Sequence, residues 1–113
     1  MVNPSSSRNA IKAVVPKLFE LIEGTIYADL WERPELSKRD RSMITIASLI
    51  AMRQTDQLRS HLEKGLANAL TAREISEVIT HVAIYAGFPA ALSAALVARP
   101  LLEERGLLEE IGG

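Results

Sequence analysis

The amino-acid sequence predicts an all-α fold of five or six helices joined by short loops, and three observations lead to this prediction. Apolar residues recur at helical spacing through most of the 113-residue chain. Two segments of the form Ser/Thr-x-x-Asp/Glu have the pattern of a capping box, which marks the first turn of a helix. No stretch alternates polar and apolar residues for long enough to form a β-strand. The expected architecture is a single helical domain.

The first predicted helix begins at about Pro16, because proline suits the first turn of a helix. The residues that follow at helical spacing are Leu18, Leu21, Ile22, Ile26, Leu30 and Trp31. Residues 1–15 are polar and serine-rich, and we expect this N-terminal segment to be partly frayed. The helical domain is expected to extend over residues 16–106, with residues 107–113 as a C-terminal tail.

The second predicted helix runs from about Lys38 to Arg53. Pro34 breaks the chain before it, and Ser37 with Asp40 forms the first capping box. The centre of this helix is apolar on nearly every face, which predicts that it is the buried central helix of the domain.

Two amphipathic helices are predicted next. The third helix starts at Thr55 or Asp56, and its apolar stripe consists of Leu58, Leu62, Leu66 and Ala69. Thr71 and Glu74 form the second capping box and open the fourth helix, which should stop at Gly87 because glycine favours helix C-caps. The side chains predicted to point inward from this fourth helix are Ile75, Val78, Ile79 and Val82.

The last predicted helix begins at Pro89 and ends near Arg105. Two neighbouring rows of this helix carry small side chains: Ala90, Ala94 and Ala98 lie on one row, and Ala91 and Ala95 lie on the next. Small residues at this spacing let another helix approach closely. That helix belongs either to the same chain or to another subunit, and the spacing leaves both alternatives open.

Composition limits the classes of function. With 48% hydrophobic residues, 24% charged residues and a net charge of -1, the chain resembles an ordinary soluble protein and not a nucleic-acid-binding one. The absence of cysteine excludes disulfides, nucleophilic thiols and dithiol redox chemistry. No signal-peptide pattern is present near the N-terminus, which predicts a cytoplasmic location. Residues 78–98 are almost uncharged, but His81 and the break at Gly87 to Pro89 argue against a membrane span.

Glu77, His81 and Tyr85 are the first candidates for chemistry, because their i, i+4, i+8 spacing places them on one row of the fourth helix. A carboxylate one turn from a histidine can hold the imidazole in one tautomer, which suits a group that transfers protons. Tyr85 could donate a hydrogen bond to a developing oxyanion. The alternative is that His81 and Tyr85 bond backbone or water at a helix end while Glu77 is solvated.

Arg39, Arg41 and His61 are further candidates for binding or chemistry. The two arginines lie near the start of the second helix, where a guanidinium group could bind a substrate carboxylate, although solvent exposure is the simpler explanation. His61 lies beside the apolar stripe of the third helix, and Gly65 one turn later is expected to leave space next to the ring. Neither H-x-x-x-H nor H-x-x-E spacing occurs, so no metal site is predicted.

The sequence resembles the carboxymuconolactone decarboxylase family over two segments, LWERPELSKRDRSMITIASLIAM and HLEKGLANALTAREISEVITHVAIYAGFPAAL. The features that carry the resemblance are RDRS before an apolar helix, then HL, ALTAREI and H-x-A-x-Y-A-G-x-P in this order. The resemblance extends from about Leu18 to Glu104. It implies an all-helical, alkylhydroperoxidase-like fold that assembles as a homotrimer or homohexamer.

The wider superfamily also contains a peroxidase branch, whose C-x-x-C-x-x-x-H motif performs thiol redox chemistry. Aligning the histidine of that motif with His61 places Gln54 and Gln57 at the two cysteine positions. Glutamine cannot form a nucleophilic thiolate, so a peroxiredoxin-like antioxidant activity is disfavoured. The sequence is similar instead to the decarboxylase branch.

The resemblance implies a carboxy-lyase that removes CO2 from a small carboxylated lactone in aromatic-acid catabolism, without a cofactor. In this interpretation His81, partnered by Glu77, is the acid/base, and His61 is the alternative proton donor. Either Tyr85 or the N-terminal end of the helix that begins at Pro89 would stabilise the oxyanion, and Arg41 would bind the remaining carboxylate. A non-catalytic, oligomeric protein that binds small acids is the alternative from another class. No nucleic acid, membrane or metal partner is expected.

Overall fold

The computed structural model describes the backbone of residues 4–112 and the side chains of residues 9–112. These residues form α-helices and three short turns of other helix types, and contain no β-strand, so the predicted all-α fold is confirmed. The α-helices are α1 (Pro4–Val14), α2 (Pro16–Leu21), α3 (Lys38–Ala51), α4 (Thr55–Ala67), α5 (Ala72–Ala86) and α6 (Phe88–Glu104). The chain divides into two compact units, one ending at Lys38 and the other beginning at Arg39.

The first unit contains α1, which was not among the predicted helices, and α2, which begins at Pro16 as predicted. After α2 the chain continues as a π-helix, Ile22–Tyr27, followed by a 3-10 turn, Leu30–Glu32. A π-helical turn contains more residues than an α-helical turn. Side chains after α2 therefore do not lie on the same face as the apolar side chains of α2. The apolar residues of this segment consequently do not form one buried stripe. Trp31 is buried, with its ring centroid 5.8 Å from that of Tyr27, whereas Leu18 is half-exposed.

The second unit contains the main hydrophobic core, in which α6 packs against both α4 and α5. The most deeply buried hydrophobic side chains of this core are Ile46, Ile50, Leu58, Leu62, Ala72, Ile75, Ala94 and Leu101. The small-residue row of α6, formed by Ala90, Ala94 and Ala98, is buried within the chain. The intrachain alternative is therefore confirmed for this row. Close helix packing is favoured here because alanine adds little volume between helices.

The helix α3 is less buried than its apolar sequence predicts. It buries one row, Ser42, Ile46 and Ile50, while Ile44 is half-exposed. The hydroxyl oxygen of Ser42 accepts a hydrogen bond from the side-chain amide of Asn68 at 2.9 Å, which satisfies a polar group inside the core. The prediction of a buried central helix thus holds for this row of α3 and fails for the opposite side, where Ile44 and Ser48 are exposed.

The turn after α4 also differs from the prediction. The predicted apolar stripe of this helix includes Ala69, but α4 ends at Ala67 and Ala69 has a φ of 78°. The chain reverses there, with the backbone N–H of Leu70 bonded to the carbonyl of Gly65 at 2.9 Å. Leu70, and not Ala69, fills the core position beyond Leu66.

The signals around α5 and α6 are confirmed. Thr71 and Glu74 form both hydrogen bonds of a capping box at the start of α5, and Gly87 ends this helix with a φ of 101°. The helix α6 carries Pro89 in its first turn and ends at Glu104, within a residue of the prediction. Across residues 4–112, no helix combines the length and the apolar character that a bilayer span requires.

Candidate active-site groove

A surface groove of about 350 Å³ lies between α3 and α5, and we call it the α3–α5 groove. It is lined by Met43 and Ala47 from α3 and by Glu74, Glu77, Val78, His81 and Val82 from α5. The lining residues of each helix are three or four positions apart, so each helix contributes one face. The α3–α5 groove therefore has an apolar floor with a histidine and two carboxylates at its edge.

His81 and Glu77, the predicted acid/base pair, both line the α3–α5 groove and are exposed to solvent. Among the described residues no hydrogen bond or ion pair joins the two side chains, so they are separate groups on one edge of the groove. The ring of Tyr85 lies against that of His81, with centroids 5.2 Å apart and planes tilted by 39°. Tyr85 is 79% exposed and does not line the groove itself. The site is thus open to solvent and is not a closed cavity.

Arg39 does not line the α3–α5 groove itself, but it forms an ion pair with Glu74, which does. Its other terminal nitrogen, Nη1, is 3.5 Å from the carboxylate of Asp40. Glu74 also accepts a hydrogen bond from the backbone N–H of Thr71 at 2.9 Å, as part of the capping box. Arg41, the other predicted carboxylate ligand, is partly buried on α3 and does not line the groove.

His61 lies on α4 and does not contribute to the α3–α5 groove. Its ring is partly buried, and its Nδ1 atom is buried with no hydrogen-bond partner among the described residues. Burial lowers the pKa of His61, and the nearby positive charge of Lys64 adds to this effect. The expected space next to the ring at Gly65 is absent, because a Cβ atom there would lie 2.9 Å from Leu70 and 3.0 Å from Ile46.

A second groove, of about 420 Å³, lies between α5 and α6. It is larger than the α3–α5 groove, but its lining is mainly aliphatic, with Ser76, Thr80 and Arg99 as the polar members. This lining offers no acid/base pair for proton transfer. We therefore place the candidate chemistry in the smaller α3–α5 groove.

Sequence reasoning found the α5 side of the site and missed the α3 side. Met43 and Ala47 continue the row that begins at Arg39, at i, i+4 and i+8 of α3. This spacing was a usable signal, since Arg39 was already a candidate. The second role of Glu74 was also missed, because the capping box accounted for this residue within its own helix.

Together these features define a class of protein: a small all-helical chain without cysteine, whose surface groove is lined by a histidine and two carboxylates, one of them paired with an arginine. Residues 16–100 match the model of the carboxymuconolactone decarboxylase family, and the chain belongs to this family.

Two relatives are similar to this chain. A 4-carboxymuconolactone decarboxylase from Acinetobacter baylyi is 37% identical over 84 residues, which cover 74% of this chain and 63% of the relative. A nitrosuccinic acid decarboxylase from Metarhizium robertsii is 29% identical over 85 residues, which cover 75% of this chain and 59% of the relative. The matched region thus spans about three-fifths of the length of each relative.

Proposed function

We propose that this protein is a carboxy-lyase that removes CO2 from a small carboxylated lactone, without a cofactor, as a step in aromatic-acid breakdown. The observation that carries the proposal is the α3–α5 groove, which is lined by His81, Glu77 and Glu74, the last of them paired with Arg39. Membership of the carboxymuconolactone decarboxylase family supports it. A volume of about 350 Å³ is within the range of small-molecule sites.

The proposed mechanism follows from where charge develops during decarboxylation. When the C–C bond to the leaving carboxylate breaks, CO2 departs and the electron pair of that bond moves into the conjugated lactone carbonyl. The hydroxyl of Tyr85 donates a hydrogen bond to the resulting oxyanion, and the imidazolium of His81 gives its proton to carbon. Glu77 offsets the positive charge of the imidazolium, and Arg39 binds the carboxylate that remains, in place of Arg41, which does not line the groove.

The names of the two relatives support a shared reaction type. One is named for a carboxylated lactone and the other for a nitro-substituted diacid. In both compounds a carbonyl or nitro group can accept the electron pair released with CO2, so neither reaction needs a cofactor as electron sink. The same chemical logic makes a small acid with an adjacent electron-accepting group the best substrate class for this chain.

The decisive experiment measures the absorbance change and CO2 release when purified protein is incubated with 4-carboxymuconolactone. We expect His81→Gln to lower kcat by about 100-fold or more, which is typical of losing a general acid. His61→Gln is the matched control, because it replaces the other histidine outside the groove and should retain turnover. Full activity of the His81 variant, with a fold unchanged by circular dichroism, would contradict the assignment.

The exposure of His81 and its separation from Glu77 favour a second candidate, a non-catalytic protein that binds small acids. Titration calorimetry with the lactone distinguishes the two, since binding without CO2 release is the result that this candidate requires.

A hydroperoxide assay with a thiol reductant tests the antioxidant alternative, which Gln54 and Gln57 disfavour.

We also propose that the chain assembles as a homotrimer or homohexamer. The end of α5 and the first half of α6 expose a set of large apolar side chains, which we call the α5–α6 apolar face: Ile84, Tyr85, Phe88, Leu92 and Leu96. Each of them is at least 65% exposed, and such a set is uncommon on the surface of a monomer. Burial of this face between subunits would remove it from water.

A further inference from the structure

We infer that Glu74, which lines the α3–α5 groove, is a positioning residue that holds the guanidinium of Arg39 beside the groove so that it can bind a substrate carboxylate. The inference rests on the proposed function. It assigns Glu74 a role beyond helix capping, and it makes Arg39 the carboxylate ligand of the site.

Both carboxylate oxygens of Glu74 are engaged, each with a different helix. Oε1 accepts the backbone N–H of Thr71 at 2.9 Å, while the backbone N–H of Glu74 donates to Oγ1 of Thr71 at 3.1 Å. Oε2 forms the ion pair with Nη2 of Arg39, which belongs to α3. The carboxylate of Glu74 cannot rotate without breaking the cap of α5. The guanidinium is therefore attached to a fixed point.

A fixed guanidinium is a better ligand than a free one, because an unrestrained arginine loses rotamer freedom when it binds. The guanidinium has five N–H donors, so an ion pair with one carboxylate leaves others for the substrate. The contact with Asp40 is long, at 3.5 Å, and restrains the guanidinium less than Glu74 does. Arg39 also offsets the negative charge of Glu74, which would otherwise repel an acidic substrate beside Glu77.

The opposite effect is physically possible and gives the inference its test: Glu74 could compete with the substrate for Arg39. If Glu74 competes with the substrate, removal of its charge should tighten substrate binding. If Glu74 positions Arg39, removal of its charge should weaken substrate binding. The hydrogen bond from the backbone N–H of Thr71 to Oε1 favours positioning, because it fixes the carboxylate of Glu74 in place, which competition with the substrate does not require.

Glu74→Gln separates these effects, because glutamine also serves in a capping box but carries no charge to hold Arg39. We expect this variant to raise the KM for 4-carboxymuconolactone about 5- to 10-fold with kcat changed less than about twofold, the pattern of lost ground-state binding. Thr71→Ala is the matched control, which weakens the cap and leaves the ion pair. It should lower the Tm and leave the KM unchanged. An unchanged or lower KM in Glu74→Gln would overturn the inference.

Arg39→Gln tests the same pair from the other side and leaves the capping box intact, so it serves if Glu74→Gln does not fold. It should raise the KM at least as much as Glu74→Gln. In the Arg39→Gln background the Glu74→Gln change should then have no further effect on the KM. A KM at the wild-type value in Arg39→Gln would overturn the inference.

A readout independent of turnover is the side-chain Nε–Hε NMR signal of Arg39, titrated with succinate as a stable dicarboxylate. We expect succinate to shift this signal in the wild type and to shift it much less in Glu74→Gln. The absence of a shift in the wild type overturns the inference, whether or not the lactone is turned over. If the wild type shows the shift and Glu74→Gln loses it, while neither protein releases CO2 from the lactone, the result supports the inference and refutes the proposed decarboxylation.

Discussion

His61 is a half-buried histidine whose neutral form is favoured by the fold, and this makes stability depend on pH. Burial, with Lys64 as the smaller contribution, lowers the pKa of His61 below its ordinary value of about 6.5. As pH falls below that value, the unfolded chain binds a proton that the folded chain resists, so the free energy of unfolding decreases. The loss stops once pH falls below the pKa of the folded state.

We expect His61→Gln to remove this component of the pH dependence. Chemical denaturation of both proteins between pH 8 and pH 5 checks it: the wild type should lose more stability than the variant as pH falls below about 6.5. Lys64→Gln should retain the larger part of the effect, because burial is the leading cause. If the free energy of unfolding changes with pH in the same way for the wild type and for His61→Gln, the pKa of His61 is the same in the folded and unfolded states, and the prediction is wrong.

At the scale of elements, the turn after α4 carries avoidable strain. Ala69 adopts a φ of 78°, in the left-handed region where a side chain is unfavourable and glycine is not. Ala69→Gly should therefore increase the free energy of unfolding by about 0.5–1 kcal/mol. Ala67→Gly, two residues earlier at the end of α4, should decrease it, since glycine is a poor helix former. Urea denaturation measures both changes, and a destabilised Ala69→Gly would contradict the strain argument.

The helices were predictable from sequence where local chemistry determines them. The capping box at Thr71 and the stop at Gly87 are local signals, and both ends of α5 follow from them. The π-helix after α2 was not predictable, because no residue pattern marks its wider hydrogen bonding. The same holds for the site. The spacing of Glu77 and His81 is local, whereas the pairing of Arg39 with Glu74 joins two helices and depends on tertiary packing.

At the scale of the whole molecule, the α5–α6 apolar face determines the expected assembly. We expect light scattering to give a mass three or six times the 12.4 kDa of one chain. Leu92→Glu should shift this mass toward that of the monomer, because a charge on a 65%-exposed apolar position opposes its burial between subunits. Met52→Glu is the matched control, at a similarly exposed position outside this face. A monomeric wild type would refute the proposed assembly.

The floor of the α3–α5 groove lies outside the deeply buried core of this chain. Met43, Ala47 and Val78 are only partly buried, whereas stability rests on residues such as Leu58 and Ala94. Exchanging a floor residue reshapes the groove at little thermodynamic cost, since large losses come from fully buried positions. The shape of this groove and the stability of the fold are therefore set by separate groups of residues.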